Sequence, residues 1–236
     1  MTQRTIVIVS AGVSEPSSSR LLADRLAQKT IDLLAAKDVS ANVRTIELRS
    51  LAVEIARATV TGVPGKGLRE AIERLGGADA VIAATPVYKA GVAGLFTSFI
   101  DVLGNDLLIA KPVALTATGG SARHALVPDE QMRPLFAFMR TLTIPTAVYA
   151  ASEDWSDRAL GARIDRAAVE LAALIASGVT GAIVQGAWHG YQHDFAGRAR
   201  AEGADPEFGA IDFDSDLMRL ATGGSSSPPT AENDNG

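Results

Sequence analysis

The chain has few groups able to break a bond and many able to hold a ligand in place. It contains no cysteine, which removes disulfides, thiol catalysis and Cys-ligated zinc or iron–sulfur centres. Of its three histidines, His189 and His193 stand four apart with no third ligand pattern nearby, so a zinc site is not expected. The chemistry-bearing residues fall instead into three short stretches. The first is Ser10 and the loop after it, which ends Ser17-Ser18-Ser19-Arg20 just before a helical pattern. A helix N-terminus offers unpaired N–H groups and a positive dipole end to an anion. The serines add hydroxyl donors, and Arg20 is able to add a bidentate phosphate contact. The same stretch also reads as an ordinary strand-to-helix connection with a serine N-cap. It lacks both the G-x-x-x-x-G-K and the G-x-G-x-x-G nucleotide patterns.

The second stretch, Thr85-Pro86-Val87-Tyr88-Lys89-Ala90-Gly91, is the one around which the others are organised. It follows an apolar run, Ala80–Ala84, and precedes another, Val92–Leu103. Pro86 fixes its own φ and keeps Thr85 extended, so the strand is expected to end there. Gly91 is expected to permit a tight entry into the following helix. Tyr88 puts a flat aromatic face in the loop, and we read the loop as lying along a flavin ring. Alternatively Tyr88 covers core, and Lys89 either meets a cofactor phosphate or faces solvent. The third stretch is Thr118-Gly119-Gly120-Ser121, followed by Ala122, Arg123 and His124. Its two glycines let backbone approach something flat. Ser121 caps the next helix, and His124 either touches the ligand or caps the helix start.

These stretches need a scaffold that brings the ends of strands together. Thr5–Ser10 is apolar on both faces, as in a parallel strand covered by helices on each side. Val43–Leu48 alternates and reads as an edge strand. Ala80–Ala84, Pro112–Ala117 and Ile144–Tyr149 complete a set of five. Helical spacing is plain in Leu22, Leu26 and Leu33, in Leu68, Ile72 and Leu75, in Leu135, Phe138, Met139 and Leu142, and in Leu160 through Ile175. Residues 50–66 give a poor signal, ending in a loop at Thr61–Gly65. Alternation of strand and helix predicts an α/β fold: a flavodoxin-like five-stranded parallel sheet, order 2-1-3-4-5, with helices on both faces. The ligand crevice is then expected beyond the carboxyl ends of strands one and three.

Composition narrows the partners. Across 236 residues the net charge is −5 and 47% of residues are hydrophobic. That allows a substantial core and argues against a nucleic-acid protein, which usually carries a basic face. No apolar run is long enough to span a bilayer and the first residues show no signal-peptide pattern, so a cytoplasmic location is expected. The helix over Val92–Leu103 is apolar on more than one side. It is either an interface in a homodimer or homotetramer, or buried under the C-terminal extension. The expected domains are a flavodoxin-like unit over residues 1–177, an extension over 178–222 and a disordered tail over 223–236. Within the extension, Asp212–Asp216 lacks the glycine and distant glutamate of an EF-hand; Asp214 or Ser215 is expected to cap a short helix there. Trp155 is expected to pack rather than react.

Thr85–Ala90 and Ala117–His124, with Arg133–Phe136 and Pro145–Ala150, resemble the NADPH-dependent FMN reductases of flavodoxin-like fold. The nearest groups are the sulfonate-system reductases and the actinobacterial reductases paired with luciferase-like monooxygenases. The resemblance runs from about Ile6 to about Ser177. It implies that FMN and NADPH (or NADH) are the cofactors, with Ser10, Ser17, Ser18, Ser19 and Arg20 in the phosphate loop. It also implies that Pro86, Val87, Tyr88 and Lys89 lie beside the isoalloxazine, and Thr118, Gly119, Gly120 and Ser121 at its other edge. Some sulfonate-system reductases insert a tyrosine after the organising loop; Val92 holds that place here, so properties that depend on that tyrosine are not carried over.

A flavin reductase needs little side-chain chemistry, because nicotinamide C4 gives hydride to flavin N5 and the cofactors carry the reaction. The protein must hold the two rings at near-attack distance. The expected function is therefore reduction of FMN by NAD(P)H, supplying reduced flavin to a partner monooxygenase. The rivals are a flavodoxin-type electron carrier and a quinone or azo reductase on the same fold. Gly119→Leu is expected to block the ring and spare the fold.

Overall fold

The structure is a computed structural model and describes residues 3–188. Four parallel strands form its centre: β1 (Arg4–Ser10), β2 (Ala41–Glu47), β3 (Ala80–Tyr88) and β5 (Pro112–Gly119), side by side in the order β2-β1-β3-β5. The fifth position is shared by two short strands, β6 (Leu142–Thr143) and β7 (Val148–Ala151), both parallel to β5. The expected order 2-1-3-4-5 therefore holds, with the last strand divided. Pro145 explains the division, since it has no N–H for a ladder. Residues around it are held by side chains instead. Arg133 donates to the carbonyls of Ile144 and Pro145 at 3.0 and 3.1 Å. Glu170 accepts from the backbone N–H and the hydroxyl of Thr146, each at 2.8 Å.

Helix α1 (Ser18–Ala35) and helix α6 (Arg158–Ser177) cover one face of the sheet. Ile6 and Ile8 share a buried cluster with Leu22, Leu26, Leu160 and Leu171. The other face takes α2 (Leu48–Thr61), α3 (Lys66–Gly76), α4 (Gly94–Asp101) and α5 (Arg133–Phe138). There Val7 and Val9 pack in a cluster with Ile55, Leu75, Phe96 and Phe136. Alternate residues of β1 thus feed two separate cores, which is why its sequence is apolar throughout. Asp157 caps α6 by accepting from the Ala159 N–H at 2.8 Å, and Gly178 closes it at φ 66°. Trp155 does pack, with the Arg25 guanidinium 5.1 Å from its ring centre.

Several elements differ from their sequence reading. Residues 50–66, whose signal in the sequence is poor, are mostly α2, which is capped by Gly62 at φ 70°, and the expected loop follows to Gly65. Its signal is blurred because Val53 and Val60 face solvent while Ile55 and Ala58 face the core, so apolar residues stand on both sides of the helix. The Val92–Leu103 helix is shorter, Gly94–Asp101, and its two phenylalanines are fully buried in their own core, with the Phe96 and Phe136 rings 6.3 Å apart. Leu142 belongs to β6 rather than to α5.

A further correction concerns the organising stretch. Strand β3 does not stop at Thr85. It runs through Pro86 to Tyr88 and turns back antiparallel into β4 (Gly91–Val92), pairing Val87 with Val92 and Tyr88 with Gly91. Lys89 and Ala90 form the two-residue turn at φ 49° and 63°, the positive angles a twisted hairpin demands. Left-handed backbone costs roughly 1–2 kcal/mol per non-glycine residue. Gly91, thought to need the freedom, is a strand residue.

Beyond α6, helix α7 (Val179–Ile183) docks on the body through Thr180, whose hydroxyl donates to the Ala110 carbonyl at 2.7 Å. Trp188 lies 5.6 Å from the Arg140 guanidinium. His189, His193, Asp212–Asp216 and the tail from Gly223 lie outside the described residues. Among the described residues no single helix is long and apolar enough to cross a membrane.

Candidate active site

At the carboxyl ends of β1, β3 and β5 lies a cleft of about 230 Å³. One wall is the loop after β1, contributing Gly12, Ser14 and Ser17–Ser19. The opposite side is the arm of the β3–β4 hairpin, Pro86, Val87 and Tyr88. Thr118, Gly119 and Gly120 close it from the end of β5, and Ser152 from the end of β7. Nine of the expected site residues therefore meet around one space. Gly12, Ser14 and Ser152 line it as well and were not singled out from the sequence. Ser14 sits in the hydroxyl-rich run, whereas Ser152 carries no motif and is placed only by the end of β7.

The serines divide their work. Ser17 is the N-cap of α1: its hydroxyl accepts from the Arg20 N–H at 3.3 Å and shares a hydrogen bond with the Ser19 hydroxyl at 3.1 Å. This is the plain capping reading, and it is met within the cleft wall. Helix geometry leaves the N–H groups of Ser18 and Ser19 without intrahelical acceptors, at the positive end of an eighteen-residue helix. A Cβ on Gly12 would overlap the Ser17 side chain, so only glycine lets the loop fold this close.

Five of the expected residues lie apart from the cleft lining. Ser10 is fully buried at the end of β1, with its hydroxyl unpartnered. Lys89 is exposed at the hairpin turn. Ser121 makes no side-chain cap for the short helical turn Ala122–His124, and His124 lies in that turn, half-buried. Arg20 stands in the first turn of α1, and its guanidinium is committed to Asp24 at 2.7 Å and to Glu47. Burial works against its charge, yet the two carboxylates outweigh that and raise its pKa. The acids leave the helix N–H groups and serine hydroxyls as the donors available to an anion.

The glycine loop is set from below. Tyr149 of β7 is buried, and its hydroxyl donates to the Ser121 carbonyl at 2.6 Å. Burial raises its pKa, with Asp154 and Glu153 adding to the effect. A Cβ on Gly119 would overlap the Tyr149 hydroxyl, whereas one on Gly120 would meet nothing within 4 Å.

A parallel sheet of order 2-1-3-4-5, with its cleft beyond strands one and three, defines a flavodoxin-like protein. Residues 4–156 match the model of the NADPH-dependent FMN reductase family, and the chain belongs to that family. It is 36% identical to the NADH-dependent FMN reductase SfnE of Pseudomonas putida, over 73% of this chain and 90% of that protein. It is 32% identical to the FMN reductase (NADPH) of Pseudomonas aeruginosa, over 71% and 88%. An oxidoreductase of Corynebacterium diphtheriae superposes with a TM-score of 0.72 at 40% identity, covering 75% of this chain and 99% of its own. The chain is accordingly an NAD(P)H:FMN oxidoreductase, with FMN and reduced nicotinamide as its cofactors.

Proposed function

We propose that FMN lies in this cleft and that the enzyme releases it, once reduced, to a separate flavin-dependent monooxygenase. One observation carries the placement: a hydroxyl-rich helix start faces a ring-bearing hairpin and a glycine loop around one space. The fit is chemical. Ser18 and Ser19 offer N–H and hydroxyl donors that suit a phosphate. Gly119 and Gly120 present bare backbone that suits a flat ring edge. When bound, FMN supplies the hydride acceptor for reduced nicotinamide.

The protein's own part is positional. Ser17 fixes the first turn of α1, the hairpin fixes Val87 and Tyr88, and Tyr149 fixes the glycine loop. Each keeps its place without a moving charge, which suits a site whose task is to align two rings.

Release of the flavin is supported by the openness of the cleft. Among the described residues Tyr88 is the only aromatic side chain lining it, and it is 48% exposed. A carrier that retains its flavin would be expected to enclose the ring more fully. The test is steady-state oxidation of NADH and of NADPH under titrated FMN, repeated after exhaustive dialysis. A micromolar constant is expected, equivalent to about −8 kcal/mol, with activity lost on dialysis and restored by added FMN. Flavin that survives dialysis, with electrons passing only to a quinone, an azo dye or a protein acceptor, would overturn the delivery role.

A further inference from the structure

The β3–β4 hairpin carries Val87 and Tyr88 into the cleft on a turn whose two central residues, Lys89 and Ala90, are both left-handed without being glycine or asparagine. Backbone of this kind persists when its surroundings hold it. Two side chains do so, at opposite ends. At the tip, Gln131 reaches from the short π-helical stretch Pro128–Met132. Its Oε1 accepts from the Val92 N–H at 3.0 Å, and its Nε2 donates to the Ala90 carbonyl at 3.2 Å. One amide therefore ties the second turn residue to the returning strand. At the base, the buried Thr85 hydroxyl donates to the Pro86 carbonyl at 2.9 Å and accepts from the Ala93 N–H at 3.2 Å. Neither side chain lines the cleft.

We propose that Gln131 and Thr85 are positioning residues for flavin, acting by holding the hairpin in the one arrangement that presents Val87 and Tyr88 to the ring. This rests on the placement of FMN in the cleft. The two clasps share no partner and differ in setting, for Gln131 is exposed and Thr85 is fully buried. They should therefore differ in their cost to stability and agree in their effect on flavin.

The experiment uses the full chain carrying Gln131→Ala or Thr85→Val, the latter keeping shape while removing the hydroxyl. Three quantities are read: the KM for FMN against kcat, the melting temperature, and amide hydrogen exchange of Val92 and Ala93 without flavin. Both variants should raise the KM for FMN about five-fold or more with kcat little changed. Exchange should quicken at Val92 in Gln131→Ala and at Ala93 in Thr85→Val. Thr85→Val should melt lower and Gln131→Ala close to wild type. Gln131→Glu keeps the acceptor for Val92 and loses the donor to Ala90, so its KM should fall between wild type and Gln131→Ala. Faster exchange with an unchanged KM in both variants overturns the proposal, because the hairpin then has no part in binding flavin. A KM that rises only in the variant that melts lower also overturns it, since general loosening then explains the effect. Ser18→Ala/Ser19→Ala, measured alongside, separates the two readings: if that variant leaves FMN binding unchanged too, the cleft placement itself fails.

Discussion

The hydroxyl of Tyr149 donates to the carbonyl of Ser121 at 2.6 Å from the very space that a side chain on Gly119 would need. A tyrosine on the last strand and a glycine on its neighbour thus set the height of the loop at the cleft's rim. Tyr149→Phe leaves the Ser121 carbonyl without that donor. It should cost about 1–2 kcal/mol of stability in urea unfolding and weaken FMN several-fold in fluorescence titration.

The same residue sets a pH dependence. Burial raises the Tyr149 pKa above its usual 10.0, and the charges of Asp154 and Glu153 push the same way. The folded chain therefore keeps a proton that the unfolded chain gives up. Its contribution is complete below about pH 10 and is lost as pH rises through the folded pKa. Urea midpoints taken from about pH 8 to about pH 11 should fall more steeply in wild type than in Tyr149→Phe.

Gly119 and Gly120 should respond in opposite ways. Gly119→Leu, expected from sequence to spare the fold, drives its side chain into buried Tyr149 and should lower the melting temperature sharply. Gly120→Leu meets no neighbour. It should melt like wild type and lose FMN-dependent turnover, measured by NAD(P)H oxidation.

The serines of α1 should separate phosphate binding from capping. Ser18→Ala/Ser19→Ala should weaken FMN about ten-fold, equivalent to about 1.4 kcal/mol, and leave riboflavin, which has no phosphate, nearly unaffected. Ser17→Ala removes the cap and should cost about 1 kcal/mol of stability. Calorimetric titration with both flavins, with urea unfolding beside it, distinguishes the two effects.

Self-association should run through an apolar groove made by Ile100, Leu103, Leu135, Phe138 and Met139. Phe138 is 67% exposed there, while Phe99 is fully buried. Phe138→Ser should therefore convert a dimer or tetramer to monomer in sedimentation velocity, with little change in melting. Phe99→Asp would report on folding instead. A wild-type chain that sediments as a monomer removes the basis for this assignment.

Much of this was legible in the residues. β1 declared itself by its unbroken apolar run, and the loop after it by hydroxyls placed directly before a helical repeat. The strand order followed from alternation and handedness. What stayed hidden depended on tertiary contacts. The turn at Lys89–Ala90 has no glycine or asparagine to announce it, because Gln131 stabilises it from forty residues away. α2 was obscured by Val53 and Val60 on its wet side. Tyr149 looked like one more strand residue, since its hydrogen bond is to a loop that only the sheet brings near.

The alternation of β1 has one more result. With Ile6 and Ile8 on one side and Val7 and Val9 on the other, the sheet acts as a partition between two apolar compartments. Val87 and Val92 of the hairpin pack against one compartment, which also holds Phe96, Met132, Phe136 and Tyr149. Leu160, Ile164, Leu171 and Ile175 of α6 belong to the other. Changes on the two sides share no partners and should combine by simple addition. The α6 side is therefore where this enzyme can be made hardier without retuning the hairpin and the glycine loop.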